Sequence, residues 1–370
     1  MKKIYPLFVA STSFFLSYYS RLSWSILSVY MPFRPTVQEE ALAFSIFFAG
    51  YVAVQIPAGL LSDKYSGGSI IFLSLLGLAV GSVLSAFSKS ISQEYVASLF
   101  MGIAAGWIYP ASINIMNHYY KEERAIYIGY YSISWPLAII VSGALLPTIS
   151  IRVGWQWGYY SSALLSILIA FMAIPLRTQG KPRKIDLVVL REKNVIFLSL
   201  GGMIFFLTYW SITLYAFKYF LSVGISPLIA GFIFSTMAIS GLFSSPLSGY
   251  IVNGMGLKKA MVSSIIFYGF LVLVFSLVRN SVALITVALL MGFFRFLITP
   301  GNSNLIIEIG KERSASVSGI SNMFWQSSGI IGPILSSAII LLFGFRVLWL
   351  ILSIITFIAA YIYQSISLRE

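Results

Sequence analysis

The sequence predicts an all-α membrane protein of twelve transmembrane helices. They form two six-helix bundles arranged as a parallel repeat, with both termini cytoplasmic. Three observations carry this reading. First, 58% of the 370 residues are hydrophobic and 9% are charged. A soluble domain carries about 25% charged residues, so this chain lacks the polar surface to cover itself in water. Second, the apolar residues fall in runs of roughly 20, the length a helix needs to cross a bilayer. Third, the basic residues sort by side once those runs are drawn: sixteen lie on the side of the N-terminus and six opposite. The positive-inside rule then places both termini in the cytoplasm.

In chain order the predicted spans are 5–30, 41–61, 69–87, 95–116, 125–149, 155–176, 195–221, 227–252, 260–278, 282–307, 316–343 and 345–366. The first follows Lys2 and Lys3. It is too long for a signal-peptide core and has no clear small-residue cleavage site, so it reads as a retained helix. Arg34 parts the first and second spans, Asp63 and Lys64 the second and third, and Lys89 the third and fourth. The fourth ends at His118, Lys121, Glu122, Glu123 and Arg124, and the fifth at Arg152. Residues 177–194, RTQGKPRKIDLVVLREKN, are the longest polar interval and contain Gly180 and Pro182. They read as a cytoplasmic linker between one bundle over 1–176 and another over 195–370. In the second bundle Lys218, the Lys258–Lys259 pair, Arg279, the Lys311 and Arg313 turn, and Arg346 mark successive span ends.

Composition also excludes. There is no cysteine and one histidine, His118, which leaves no disulfide, thiolate or histidine-rich metal site. The net charge of +13 follows membrane topology and is not a nucleic-acid footprint. No glycine-rich lysine loop for a nucleotide phosphate is present, and no triad or paired acids. The chain therefore reads as neither an enzyme nor a cofactor-binding protein.

The two bundles repeat each other in sequence. Residues 14–20, FFLSYYS, match residues 205–211, FFLTYWS, at an offset of 191. An offset of 190 then aligns Gly59 with Gly249, Gly102 with Gly292, Pro110 with Pro300, Asn114 with Asn304, Lys121 with Lys311, Gly129 with Gly319 and Trp135 with Trp325. Six spans per half make both halves start on the same side, so the repeat is parallel.

The turn after the second span carries Gly59, Asp63 and Lys64 in GLLSDK. It resembles the signature loop of the major facilitator superfamily, G-x-x-x-D-R/K-x-G-R/K-R/K. The equivalent turn of the second half, GYIVNGMGLKK from Gly249 with Asn253, is a worn copy. Ser66 stands where the family has glycine, and Gly67 and Gly68 replace its basic pair. Ser98 occupies the place of an arginine that many members carry on the fourth helix. The fifth span, with Gly129, Pro136 and Gly143, lacks the compact signature of drug antiporters. The resemblance covers essentially the whole chain and implies alternating access, with Gly59, Asp63, Lys64, Gly249 and Asn253 as gating positions. It also implies that the first, fourth, seventh and tenth helices line the cargo cavity.

Arg21 and Arg295 are the candidate working residues. A cation at bilayer depth costs a few kcal/mol or more, and it normally faces a water-filled path or a ligand. Arg21 lies nine residues from Tyr30, about 13 Å along a helix, too far for easy escape to the interface. Ser17, Arg21, Trp24 and Ser28 share one helix face, as do Arg295, Thr299 and Asn302. No Asp or Glu lies comparably deep in any apolar run. Two guanidiniums suit a carboxylate or a phosphate, which arginine grips bidentately. The alternative is that each arginine stacks on nearby aromatic rings or caps carbonyls. Tyr109, Asn114, Tyr209, Thr213, Asn304, Asn322, Trp325 and Gln326 are further cavity candidates, for each of which helix packing is an equal explanation. His118 and Glu308 read as solvated helix-end residues.

The expected function is thus transport of a small organic anion, a carboxylate or phosphate ester, across the cytoplasmic membrane. Its expected partners are that small-molecule substrate and membrane lipid, with no nucleic acid, in a monomer without cofactors. Carriage of a neutral or hydrophobic compound, with both arginines structural, is one alternative. A non-transporting membrane sensor on the same fold is the other.

Overall fold

In the computed structural model, residues 4–55, 57–58, 65–178 and 186–368 are described. The expected gating residues Gly59, Asp63 and Lys64 lie outside them. The described residues form helices and connections, with no strand among them. The chain divides into two compact units, Met1–Lys184 and Ile185–Glu370.

The first unit contains α1 (Ile4–Leu27), α2 (Val37–Ala53), α3 (Gly67–Phe87), α4 (Ile91–Gly106), α5 (Ile108–Tyr119), α6 (Arg124–Ser132), α7 (Ser134–Arg152) and α8 (Gln156–Ala173). The second contains α9 (Lys193–Ser222), α10 (Pro227–Ile239), α11 (Gly241–Met255), α12 (Leu257–Phe275), α13 (Ser281–Gly310) and α14 (Ser314–Gln364). Among the described residues, eight helical segments are long and apolar enough to cross a membrane.

Prolines explain where the fourth and fifth predicted spans each become two helices. Proline cannot donate to the carbonyl four residues back, and its ring clashes with it. Four residues before Pro110 is Gly106, the last residue of α4; four before Pro136 is Ser132, the last of α6. Pro300, the repeat counterpart of Pro110, is absorbed within a continuous α13. Conversely, the last two predicted spans run on in α14, interrupted at Gly344, whose φ of 79° only glycine adopts readily.

In a bilayer interior backbone polar groups must find partners within the protein. Hydroxyls inside the helices turn back on their own carbonyls, as Ser13 does to Val9 (2.7 Å) and Ser23 to Tyr19 (2.8 Å). Thr36 and Glu39 close a capping box at the start of α2, which satisfies two orphan N–H groups.

Packing repeats as the sequence does. In the first unit α1 packs on α7, α2 on α4, and α3 on α8; in the second α9 packs on α14, α10 and α11 on α13, and α12 on α14. Gly102 and Gly292 mark the same crossing in each. A Cβ on Gly102 would overlap the Phe47 carbonyl oxygen of α2, and one on Gly292 would overlap that of Met237 in α10. Absent side chains at both places let the helix backbones approach closely.

Residues 186–191 of the linker interval belong to the second unit. Val189 is fully buried, the Asp186 N–H donates to Ser316 Oγ at 3.0 Å, and Arg313 ion-pairs with both Asp186 and Glu192.

Candidate functional site

Arg21 is 1% exposed and Arg295 2%, and each sits in an aromatic cage built by its own unit. The Arg21 guanidinium lies 4.6 Å from the Tyr18 ring centre, 4.6 Å from Phe48, 4.7 Å from Tyr51 and 5.3 Å from Phe47. Tyr18 is one turn back on α1, and the other three rings come from α2. The Arg295 guanidinium lies 4.1 Å from Tyr209, 5.0 Å from Phe206, and 5.6 Å from both Phe205 and Phe296. Its Nη1 also donates to Thr299 Oγ1 at 2.8 Å, so the predicted four-residue spacing is used. A desolvated cation over an aromatic face gains about 2 kcal/mol or more, and several rings share that role here.

The cages extend into stacked aromatics. Tyr18 stacks on Trp135 at 4.8 Å, Phe14 on Tyr131 at 4.7 Å, and Tyr109 meets Phe14 at 5.7 Å. In the second unit Phe206 stacks on Trp325 at 5.7 Å. The sequence-paired tryptophans Trp135 and Trp325 thus each stack on an aromatic of the first helix of their own unit.

The other candidates separate. Ser17 and Trp24 are buried on α1 with Arg21, and Ser28 is buried in the 3-10 turn that follows. The Trp24 indole N–H donates to the Glu40 carbonyl at 2.9 Å and ties α1 to α2. Asn114 is buried on α5. Thr213 is buried and donates to the Tyr209 carbonyl of its own helix at 2.8 Å. Asn302 accepts a 2.7 Å bond at Oδ1 from Tyr363, and Trp325 Nε1 donates to the Leu198 carbonyl at 3.3 Å. Gln326 donates to Asn322 Oδ1 at 3.3 Å on α14. Asn304, His118, Glu308, Gly249 and Asn253 are exposed. A Cβ on Gly249 would meet nothing within 4 Å.

No Asp or Glu lies deep in an apolar run, yet the structure buries two acids in the first turns of their helices. Glu94 is 0% exposed and Glu40 2%. The fourth predicted span starts at 95, whereas α4 begins at Ile91 and carries Glu94 into the packed bundle. Serines surround this carboxylate: Ser85 Oγ at 3.0 Å and Ser98 Oγ at 3.3 Å from Oε1, and Ser88 Oγ at 3.1 Å from Oε2. The cage rings Phe47, Phe48, Tyr51, Phe205 and Phe206 were also missed. The Phe-Phe pairs at 47–48 and 205–206 were the available signal.

Among the described residues no group of three or more His, Cys, Asp or Glu is placed to hold a metal.

A family model described as Major Facilitator Superfamily matches residues 9–252 and 198–367. The chain is 24% identical to the multidrug resistance protein MdtG of Klebsiella pneumoniae (strain 342), covering 94% of this chain and 91% of that protein. It is also 24% identical to MdtG of Escherichia coli (strain K12 / DH10B), covering 94% and 93%. Among solved structures, the nucleoside transporter NupG superposes with a TM-score of 0.83 at 14% identity, covering 98% of this chain and 99% of that one. A bacterial homologue of the human lysosomal transporter Spinster, inward-facing and occupied, superposes with a TM-score of 0.81 at 14% identity, covering 96% and 95%.

Proposed function

The chain belongs to the major facilitator superfamily, and from that premise we propose that it carries an organic compound across the cytoplasmic membrane by alternating access. The cargo is recognised chiefly through aromatic surface. Arg21 and Arg295 act mainly by organising the rings around them. One observation carries this reading: each guanidinium is buried among four aromatic rings of its own unit, at 4.1–5.6 Å. A side chain so enclosed is spent on holding its helices together. The MdtG relatives are named multidrug resistance proteins, and a drug-like organic cargo is the one we carry over to this chain. In this reading the chain works as a monomer, in twelve spans, with cytoplasmic termini.

A second reading keeps a small organic anion, a carboxylate or phosphate ester, as cargo. It is favoured by the bond from Arg295 to Thr299, a neutral hydroxyl that a carboxylate or phosphate oxygen would replace as the stronger, charge-assisted acceptor.

Thermal unfolding of the purified protein in detergent, against small anions and neutral amphipathic compounds, separates the two. A ligand at 100 times its dissociation constant adds about 2.7 kcal/mol. Stabilisation by neutral compounds, retained in Arg21→Gln and Arg295→Gln, supports the first reading. Stabilisation by anions alone, lost in both variants, replaces it with the second. Stabilisation by no compound at all, with no flux in proteoliposomes, would favour a sensor.

A further inference from the structure

We propose that Glu94 and its serine cage form a proton-binding site. It concerns the driving ion and stands apart from either reading of the cargo. Glu94 sits in the first turn of α4 with no exposed surface. Among the described residues its hydrogen-bond partners are three neutral hydroxyls, and no cation pairs with it. An arginine partner serves only the ionised carboxylate; a serine hydroxyl can serve both states, because it can donate and accept.

Ser88 shows how the cage serves both states. Its Oγ lies 3.1 Å from Glu94 Oε2 and 2.8 Å from the carbonyl oxygen of Ser85. One hydroxyl proton cannot serve two acceptors fully. With Glu94 ionised, Ser88 donates to Oε2. When a proton from solvent binds Oε2, the new O–H donates to Ser88 Oγ, and the Ser88 proton turns to the Ser85 carbonyl. The only change is one O–H bond formed on Glu94 and one hydroxyl rotated, and no buried group loses its partner in either state.

Opposing influences act on the carboxyl. Burial favours the acid, while hydroxyl donors and the start of a helix favour the carboxylate. The surrounding ionisable groups are few. Tyr159 on α8 lies within electrostatic reach. The second helix brings Glu39, engaged by the Thr36 N–H, and the buried Glu40. Arg21 on α1 is enclosed by its rings, and Lys89 in the connector is exposed. Ser88 is buried but adjoins the exposed Lys89, so the connector is the shortest way from solvent to the site in this proposal.

The site also ties helices together. Ser85 belongs to α3 and Ser88 to the connector after it, whereas Glu94 and Ser98 belong to α4. Ser98 occupies the place of the arginine that resemblance to the family would put there. A neighbouring pair, Ser82 on α3 and Ser162 on α8 at 3.3 Å, continues the polar seam. Protonation therefore reverses one hydrogen bond between the α3–α4 connector and α4 without breaking it.

Infrared difference spectra of the full-length protein in detergent, titrated from about pH 9 to about pH 5, test the site across a range that brackets a buried carboxyl. The wild type is expected to show a protonated-carboxyl stretching band that grows reversibly with acid and is missing in Glu94→Gln. A pH-dependent band unchanged in that variant, or no such band in the wild type, overturns the proposal. If Glu94→Gln fails to fold, Ser88→Ala keeps the carboxyl and removes the turning hydroxyl. The expected result is a titration midpoint displaced by about one pH unit, a tenfold change in proton affinity. An unmoved midpoint overturns the switch. Repeating the titration with choline in place of sodium should leave the midpoint where it is; a tenfold displacement would make the ligand a sodium ion and overturn the proton assignment.

Discussion

Tyr18 and Tyr209 occupy the same place in the two halves of the repeat, and each carries a guanidinium over its ring, at 4.6 Å and 4.1 Å. The cations arrive differently. Arg21 comes from one turn further along the same helix, Arg295 from α13. The repeat supplies the ring, and each half supplies its own charge. The side chains at the positions equivalent to these arginines, Ile212 and Ala105, are uncharged, so neither cation has a repeat partner.

The Tyr209 ring face, more than its hydroxyl, should hold Arg295. Tyr209→Phe, which keeps the ring, should cost less than Tyr209→Leu, which should lose about 2 kcal/mol. A double-mutant cycle with Arg295→Gln, read by thermal unfolding in detergent, should return a coupling of that sign. Equal losses for Phe and Leu would show that the hydroxyl matters instead.

Trp24→Phe removes the indole N–H and leaves the buried Glu40 carbonyl without that donor. The cost should be about 1–3 kcal/mol. If Trp24 is a tie between α1 and α2, stabilisation by an added ligand should be unchanged in the variant. Loss of ligand stabilisation without loss of intrinsic stability would return Trp24 to the cargo site.

Glycines that align in the repeat should respond unequally. Gly102→Val and Gly292→Val should each cost about 1–3 kcal/mol or more through overpacking, because a Cβ meets backbone of the neighbouring helix in both. Gly249→Ala, on an open face of α11, should leave unfolding unchanged within about 0.5 kcal/mol. Comparing the three melting temperatures checks this directly.

Arg313 should matter for order more than for stability. Its ion pairs with Asp186 and Glu192 involve partly exposed side chains, and such pairs contribute at most about 1 kcal/mol. Arg313→Gln should therefore leave the melting temperature nearly unchanged while speeding amide exchange over 186–191. Unaltered exchange there would assign the anchoring to Val189 and Ser316 alone.

How much of the candidate site was legible varies residue by residue. The pairing of Arg295 with Thr299 was readable because a spacing of four puts two side chains on one helix face. The burial of Arg21 was readable from its distance to the end of the run. Glu94 was not, because the edge of an apolar run does not show where a helix starts, and four residues decide whether a carboxyl is in a loop or in the core. Nor were Phe47, Phe48 and Tyr51, which look like any lipid-facing aromatics until α2 is set against α1.

The sequence by itself determined the class, the repeat and the place of the two arginines along their apolar runs. These follow from composition, apolar run length and residue spacing, which are properties of the chain taken in order. Only the tertiary structure decided what the buried charges touch. Contacts between helices depend on how each one is rotated about its axis and where it begins. That is set by packing at places such as Gly102 and Gly292, where backbones approach closely, and not by any local pattern. The rings around Arg21 and the serines around Glu94 are consequences of that packing.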